Sequence, residues 1–344
     1  MKVFVEISHL AASMSWRAFA EAIHTMEDSG AAGVSVSDHI FATHGGRPRR
    51  DSSSPTCDPL TTLGVVAGLS ERLEIQTTVV NTGWIHPALL LRQFAQLAQF
   101  VGGERVTVGL GAGWSAEEFD AIGMKMPPFS RRISRLEEVL ALARSLFDTG
   151  IASLDGDYIT ARDLPLSPRP TVAPALLVGG GSDRILEMAG RYVDILDLHG
   201  HPDRGKVIGT TMHDARHGDA LRRALTTVDD LEDRMRLVQH AAVDAGRLKD
   251  SVSVGVSVFF TAYGSRSKVE EAERELCESW ARIPRQSLQR SPYLLFGEPQ
   301  QMANALRERQ ERFGLQRITL LSEHGITAAP ADPLRFCREV LPLL

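Results

Sequence analysis

The feature that most constrains this chain is an alternation, repeated eight times, of a short apolar run with an amphipathic stretch of helical period. Runs at 2–7 (KVFVEI), 33–37 (GVSVS), 73–80 (LEIQTTVV), 105–110 (RVTVGL), 175–178 (ALLV), 192–198 (YVDILDL), 252–260 and 317–321 read as strands. The stretches between them read as helices. Ser15 caps one in which Trp16, Phe19, Ala20 and Ile23 share a face, and Asp58-Pro59 opens another that runs to about Ser70. One starts near Pro87 with Leu90, Phe94 and Leu97 on one side, and the last opens at Asp332-Pro333. A long helix carries Ile133, Leu136, Leu140, Ala143 and Phe147 at spacings of three and four.

Strand–helix alternation argues for a parallel sheet with crossover helices. Eight units without a change of pattern favour closure into a (β/α)₈ barrel over an open, doubly wound sheet. The expected architecture is a single barrel domain over residues 1–344, with insertions near 150–174, after strand four, and 200–226, after strand six. The first carries Asp-Gly and several prolines and reads as a hairpin or excursion. The second is rich in Gly, His, Asp and Arg and reads as a surface insertion.

Composition removes several function classes. The chain is 43% apolar and 24% charged, an ordinary balance for a soluble globular protein. A net charge of −5 gives no reason to expect nucleic acid as a partner. Cys57, Cys277 and Cys337 are scattered, without the spacing of a disulfide framework or a zinc site. The N-terminus is too short and polar to read as a signal peptide, and no apolar run is long enough to span a membrane. A cytoplasmic protein acting on small molecules is the expectation, with no metal.

A barrel places its active site in the loops after the strands, at their carboxyl ends. After strand two stands Ser37-Asp38-His39, where the imidazole titrates near neutral pH and suits proton transfer. Strand three carries Thr77, Thr78, Val79, Val80 and then Asn81. After strand four comes Gly109-Leu110-Gly111-Ala112-Gly113-Trp114, in which alternate glycines let the backbone approach a ligand closely. It is not the dinucleotide fingerprint, because the later spacing is missing. Ser115 to Glu118 fits a capping box, which makes Glu118 a helix cap. After strand five, Gly179-Gly180-Gly181-Ser182 opens a helix and reads either as a phosphate site or as a tight turn. Strand six ends in Asp197-Leu198-His199, with His199 either in the mouth or structural. Trp84, Trp114 and Trp280 either line the site or pack. Arg47, Arg49 and Arg50 form a solvated basic face or an anchor for an anionic tail.

These segments, with His86-Pro87, Arg132-Ile-Ser-Arg135-Leu-Glu-Glu and Leu177-Val-Gly-Gly-Gly181, resemble the luciferase-like family of flavin- and deazaflavin-dependent oxidoreductases. The resemblance runs from about residue 3 to 200 and returns near 294–322. It implies a TIM barrel, commonly a homodimer, with a flavin-type ring across the strand mouths. It also implies a cis peptide or bulge at Thr78–Val79 under the ring. His39 becomes the catalytic residue. Asp38, Thr78, Val79, Asn81, Ala112 and Gly113 become cofactor contacts, and Gly179, Gly180, Gly181 and Ser182 the phosphate site. Trp84, Trp114 and His199 fall on the substrate side. Asp-His after strand two is similar to the members that use coenzyme F420. Trp114 stands where the sugar-phosphate dehydrogenases carry a glutamate, which argues against that substrate. The resemblance thus implies hydride transfer between F420 and a small organic substrate. The alternatives are an FMN-dependent monooxygenase and a barrel that binds a ligand without catalysis.

Overall fold

A computed structural model describes residues 1–41, 43–44, 47–48, 56–200, 224–258, 260–263, 265–279, 284–321 and 332–344. Eight strands form its centre: β1 (Lys2–Glu6), β2 (Gly33–Val36), β3 (Glu74–Thr77), β4 (Val106–Gly111), β5 (Ala175–Gly180), β6 (Ile195–Leu198), β7 (Ser253–Val258) and β8 (Arg317–Leu320). All neighbours are parallel, in the order β5-β6-β7-β8-β1-β2-β3-β4. A further ladder from β4 to β5, Thr107 on Ala175 through Leu110 on Val178, closes the circle. This is the TIM barrel, and it fixes the strand carboxyl ends as the functional face.

The helices follow the strands: α1 (Trp16–Asp28), α2 (Pro59–Leu69), α3 (Pro87–Val101), α4 (Phe129–Thr149), α5 (Asp183–Tyr192), α6 (Val228–Asp244), α7 (Pro299–Phe313) and α8 (Pro333–Glu339). Their starts are chemically marked. Ser15 accepts from Ala18 N–H, Asp58 from Thr61 N–H, and Asp332 from Leu334 and Arg335 N–H. Outward strand residues such as Val34, Ile75, Val108, Leu176 and Ile318 are fully buried, as are Phe94, Leu140 and Leu306 on the helices that cover them. Burying such a side chain contributes about 1.5–3 kcal/mol.

Two local expectations are corrected. Trp16 is exposed, and the buried stripe of α1 is Phe19, Ala22, Ile23 and Met26. Trp16 is the first residue of the helix, and a side chain there points back toward the helix start and away from the buried stripe. Strand six begins at Ile195 and not at 192, because Tyr192 is the last residue of α5 and Val193 is its C-cap.

Residues Ile151–Asp155 pair antiparallel with Thr160–Pro165, between α4 and β5. Phe260–Tyr263 pairs in parallel with Leu294–Gly297 beyond β7, a pairing the sequence did not suggest. Most of the second expected insertion, together with Arg49, Arg50, Trp280 and the Arg47 side chain, lies outside the described residues.

The barrel interior is polar in its middle. Arg317 stacks its guanidinium 4.3 Å from the Phe4 ring centroid and donates to Gln76 Oε1 at 2.7 Å. Gln76 donates in turn to Thr319 Oγ1 at 3.1 Å. Burial pulls the Arg317 pKa down to about 10, which leaves it charged at neutral pH. Nearer the mouth, Glu6 is buried at the end of β1 and accepts from Ser8 N–H at 3.1 Å and from Ser37 Oγ at 3.3 Å. Burial raises its pKa, opposed by those hydrogen bonds. Among the described residues no helix is long and apolar enough to cross a membrane.

Candidate active site

The site begins where β3 breaks. The Thr78–Val79 peptide is cis, as the resemblance implied, and pairing with β4 resumes at Val80 and Asn81. Thr77 Oγ1 bridges the break, donating to Gly109 O and accepting from Gly109 N–H, both at 2.9 Å. Thr78 Oγ1 touches Ser35 Oγ on β2.

Asp38 and His39 follow β2 and diverge, as neighbours on an extended segment do. Asp38 turns to the β3 loop, where its Oδ2 accepts from Asn81 N–H at 2.9 Å and from Trp84 Nε1–H at 3.3 Å. Burial pushes its carboxyl pKa up, and the Asn81 hydrogen bond and nearby His39 oppose the shift. Asp38 therefore supports the loop after β3, and no hydrogen bond from the described residues reaches its Oδ1.

His39 turns the other way, onto Glu118. Its Nδ1 stands 3.0 Å from Glu118 Oε1, which also accepts from Ile40 N–H at 2.9 Å. The Glu118 side chain is 2% exposed and that of His39 27%. Trp114 packs edge-on against the imidazole at 5.7 Å between centroids. A carboxylate on Nδ1 fixes the tautomer and leaves Nε2 to meet a reactant. The capping-box reading of Glu118 is corrected here. Ser115 does cap the short helix Ala116–Ala121 by accepting from Glu118 N–H, but the Glu118 carboxylate is committed to His39. The two residues are far apart in sequence, so no local pattern could have revealed the pair.

Asn81 is buried, with its Oδ1 accepting from Gly83 N–H at 2.9 Å. Its amide packs against Gly113, which has φ +73° and where a Cβ would lie 2.5 Å from the amide. Only glycine fits that backbone and that approach. Ala112 and Gly113 are half-buried beside it, and Trp84 packs on Phe119 at 5.3 Å. The Arg132 and Arg135 motif finds its purpose below this floor. Arg132 donates to the carbonyl oxygens of Gly113 and Pro127, and Arg135 to those of Thr82 and Ile85. Two guanidiniums on α4 thus pin the loops after β3 and β4.

On the far side, β5 ends in the glycine run. A side chain on Gly179 would start 3.3 Å from His199 Nε2 and 3.8 Å from Val79 Cγ1, so its absence keeps the floor between them open. A Cβ on Gly181 would lie 2.7 Å from Gly200 O. Ser182 caps α5 by position, yet its Oγ is buried, makes no capping bond and has no hydrogen-bond partner among the described residues. Arg234, on α6 and 5% exposed, donates to Gly181 O and to Asp183. Nothing in the sequence signalled that buttress. His199 directly follows β6, with its Nε2 3.6 Å from Asp197 Oδ2, and Asp197 accepts from Ser257 Oγ at 2.8 Å. Among the described residues, no three His, Cys, Asp or Glu side chains cluster in a way that could hold a metal.

The chain was compared with known proteins. It matches the luciferase-like monooxygenase family over residues 2–331. It is 32% identical over 169 residues to an F420-dependent glucose-6-phosphate dehydrogenase of Beutenbergia cavernae, covering 49% of this chain and 48% of that one. It is 31% identical over 139 residues to the pyrimidine monooxygenase RutA of Escherichia coli K12, covering 40% and 36%. The chain thus spans half or less of the length of these relatives. Among solved structures, an F420-dependent secondary alcohol dehydrogenase bound to an F420-acetone adduct superposes with a TM-score of 0.74 at 16% identity, covering 100% and 98% of the two chains. The coenzyme F420-dependent tetrahydromethanopterin reductase of Methanopyrus kandleri gives 0.67 at 15%, covering 99% and 98%. At such identities the superpositions speak for the fold, and the family match speaks for descent: the chain belongs to the luciferase-like monooxygenase family.

Proposed function

We propose that the chain is an oxidoreductase that moves a hydride between coenzyme F420 and a small organic substrate. The observation that carries this reading is the His39–Glu118 pair at the mouth of β2, beside the interrupted β3. A partly exposed imidazole backed by a buried carboxylate suits proton exchange, and the glycine-lined floor beside it leaves space into which a flat ring could fit.

The residues present fit such a cofactor. Ser182 Oγ is a buried donor with no partner at the N-terminus of α5, where backbone N–H groups favour a phosphate. Gly180 and Gly181 let this turn pack closely on Ile185 and on the 199–200 backbone, and Arg234 donates to the Gly181 carbonyl oxygen and so holds the turn. Gly180, Gly181 and Ser182 would bind the phosphate. Thr78, Val79, Ala112 and Gly113 would line the ring, with Asp38 and Asn81 bracing that floor. When bound, the deazaflavin supplies the hydride carrier, and the protein supplies position and proton transfer. His39 holds or takes the proton through Nε2 while Glu118 stabilises the charged imidazole. Trp84 and Trp114 give the substrate side an aromatic lining, and His199 lies across from them.

A second reading, an FMN-dependent monooxygenase, is favoured by the similarity to the pyrimidine monooxygenase, and the same cradle suits the FMN phosphate. Absorbance of the purified chain, followed by fluorescence titration with F420 and with FMN, separates the two. Tighter, stoichiometric binding of F420 is expected. Preference for FMN supports the second reading, and binding of neither leaves a barrel without this chemistry.

A further inference from the structure

We infer that His199, with the Asp197 carboxylate beside it, is a second acid–base residue facing His39 across the mouth, and that the substrate it serves carries a polar double bond, a carbonyl or an imine. The inference rests on the oxidoreductase reading above and adds a substrate class to it.

Topology supplies the first argument. In the closed order of strands, β2 and β6 are four places apart in either direction, so their carboxyl ends face each other across the mouth. A histidine follows each, three residues after β2 and directly after β6, and each has a shielded carboxylate beside it, Glu118 from the loop side and Asp197 from β6 itself. On one wall His39 meets Glu118 at 3.0 Å. On the other, His199 Nε2 stands 3.6 Å from Asp197 Oδ2, beyond a hydrogen bond but close enough for the carboxylate to favour a charged imidazole. The Asp197 side chain is 10% exposed, and its orientation is fixed by Ser257 on β7. Behind it, the buried Arg317 feels the Asp197 charge. His199 keeps 33% of its side chain exposed, and the space left by Gly179 lies between its Nε2 and Val79. A reactant above the interrupted β3 would therefore lie within reach of both histidines.

Proton accounting supplies the second argument. Reduction of a carbonyl adds a hydride to carbon and a proton to oxygen, while the reduced deazaflavin gives up the hydride and one ring proton. Two proton transfers occur, on two different molecules. His39 accepts the ring proton and passes it to solvent. His199 gives its proton to the substrate oxygen, or to nitrogen in an imine, and is recharged from solvent. The product is an alcohol or an amine, and the deazaflavin leaves oxidised. Every double bond that takes a hydride also takes a proton, and an imidazole delivers that proton most readily where the second atom is oxygen or nitrogen, with a lone pair to receive it.

The test has two readouts on the full chain. Saturation-transfer NMR on the cofactor-free protein compares benzaldehyde with toluene, two aromatic probes that differ by a carbonyl. Wild type should prefer benzaldehyde, by roughly tenfold for one hydrogen bond to a neutral acceptor. His199→Phe should lose that preference, while His199→Gln, which keeps a donor, should retain it. Oxidation of reduced F420 by benzaldehyde is then followed anaerobically. His199→Gln should cut kcat by about 10²–10⁴-fold, with KM and F420 affinity near wild type. No carbonyl preference in wild type, or undiminished kcat in His199→Gln, overturns the inference. Failure of wild type to bind F420 would instead overturn the underlying reading, and the probe comparison would still report on His199.

Discussion

At the scale of single residues, the account turns on carboxylates whose partners are distant in sequence. Glu118 was legible as a helix cap because Ser115 stands three residues before it; its bond to His39 closes a loop of 79 residues and leaves no local trace. Glu118→Gln keeps an acceptor for Ile40 N–H but cannot stabilise a charged imidazole. We expect kcat to fall by about 10–10²-fold with cofactor affinity unchanged, against about 10²–10⁴-fold for His39→Ala, measured by turnover alongside cofactor titration. Asp38→Ala should behave differently, because Asp38 anchors Asn81 N–H and the Trp84 indole. It should weaken cofactor binding and lower stability by about 1–3 kcal/mol in denaturant titration. Glu6 offers a test by pH. Burial raises its folded-state pKa, so the folded chain holds that proton more tightly than the unfolded one. Its stabilising contribution is present below the unfolded value of 4.5 and is lost as pH rises through the folded value. Glu6→Gln keeps the Ser8 and Ser37 hydrogen bonds without the charge. The variant should melt higher than wild type at pH 8, with the gap closing toward pH 4. A gap that widens on acidification would contradict the assignment.

At the scale of elements, the strands and helices were readable because alternation and capping are local properties. Ser15, Asp58 and Asp332 all cap the helices they mark. What the sequence could not show is how loops at the mouth are held, since that is done by side chains from helices elsewhere. Arg135 on α4 reaches the loop after β3, and Arg234 on α6 reaches the turn after β5, in each case through backbone carbonyl oxygens. The Arg132 and Arg135 pair was noticed as a motif, but its targets were not readable. Arg234 sits at an unremarkable helical position, and nothing in the sequence around it signals its role. Replacing either Arg135 or Arg234 by Met leaves carbonyl oxygens unpaired and frees a loop. Each should cost about 1–3 kcal/mol in stability and weaken cofactor binding more than it lowers kcat. Chemical denaturation with parallel cofactor titration checks both effects, and unchanged affinity in both variants would show that the loops hold themselves.

At the scale of the whole molecule, eight alternations gave closure, and closure gave the address of the site. Gly179, Asp38, His39, Asn81, Gly113 and His199 come from five different strand ends, yet the barrel gathers all of them at one face. Substrate identity was not readable because loops select it, and loop sequences carry no periodic signal. The central claim is that this face holds a deazaflavin between two histidine–carboxylate walls. A crystal structure of the chain grown with F420 tests it most directly. The account predicts the phosphate within hydrogen-bond distance of Ser182 Oγ and the Gly180–Gly181 backbone, with the ring lying over Thr78–Val79 between His39 and His199. A ring bound elsewhere, or a phosphate that leaves Ser182 Oγ without a partner, would contradict it.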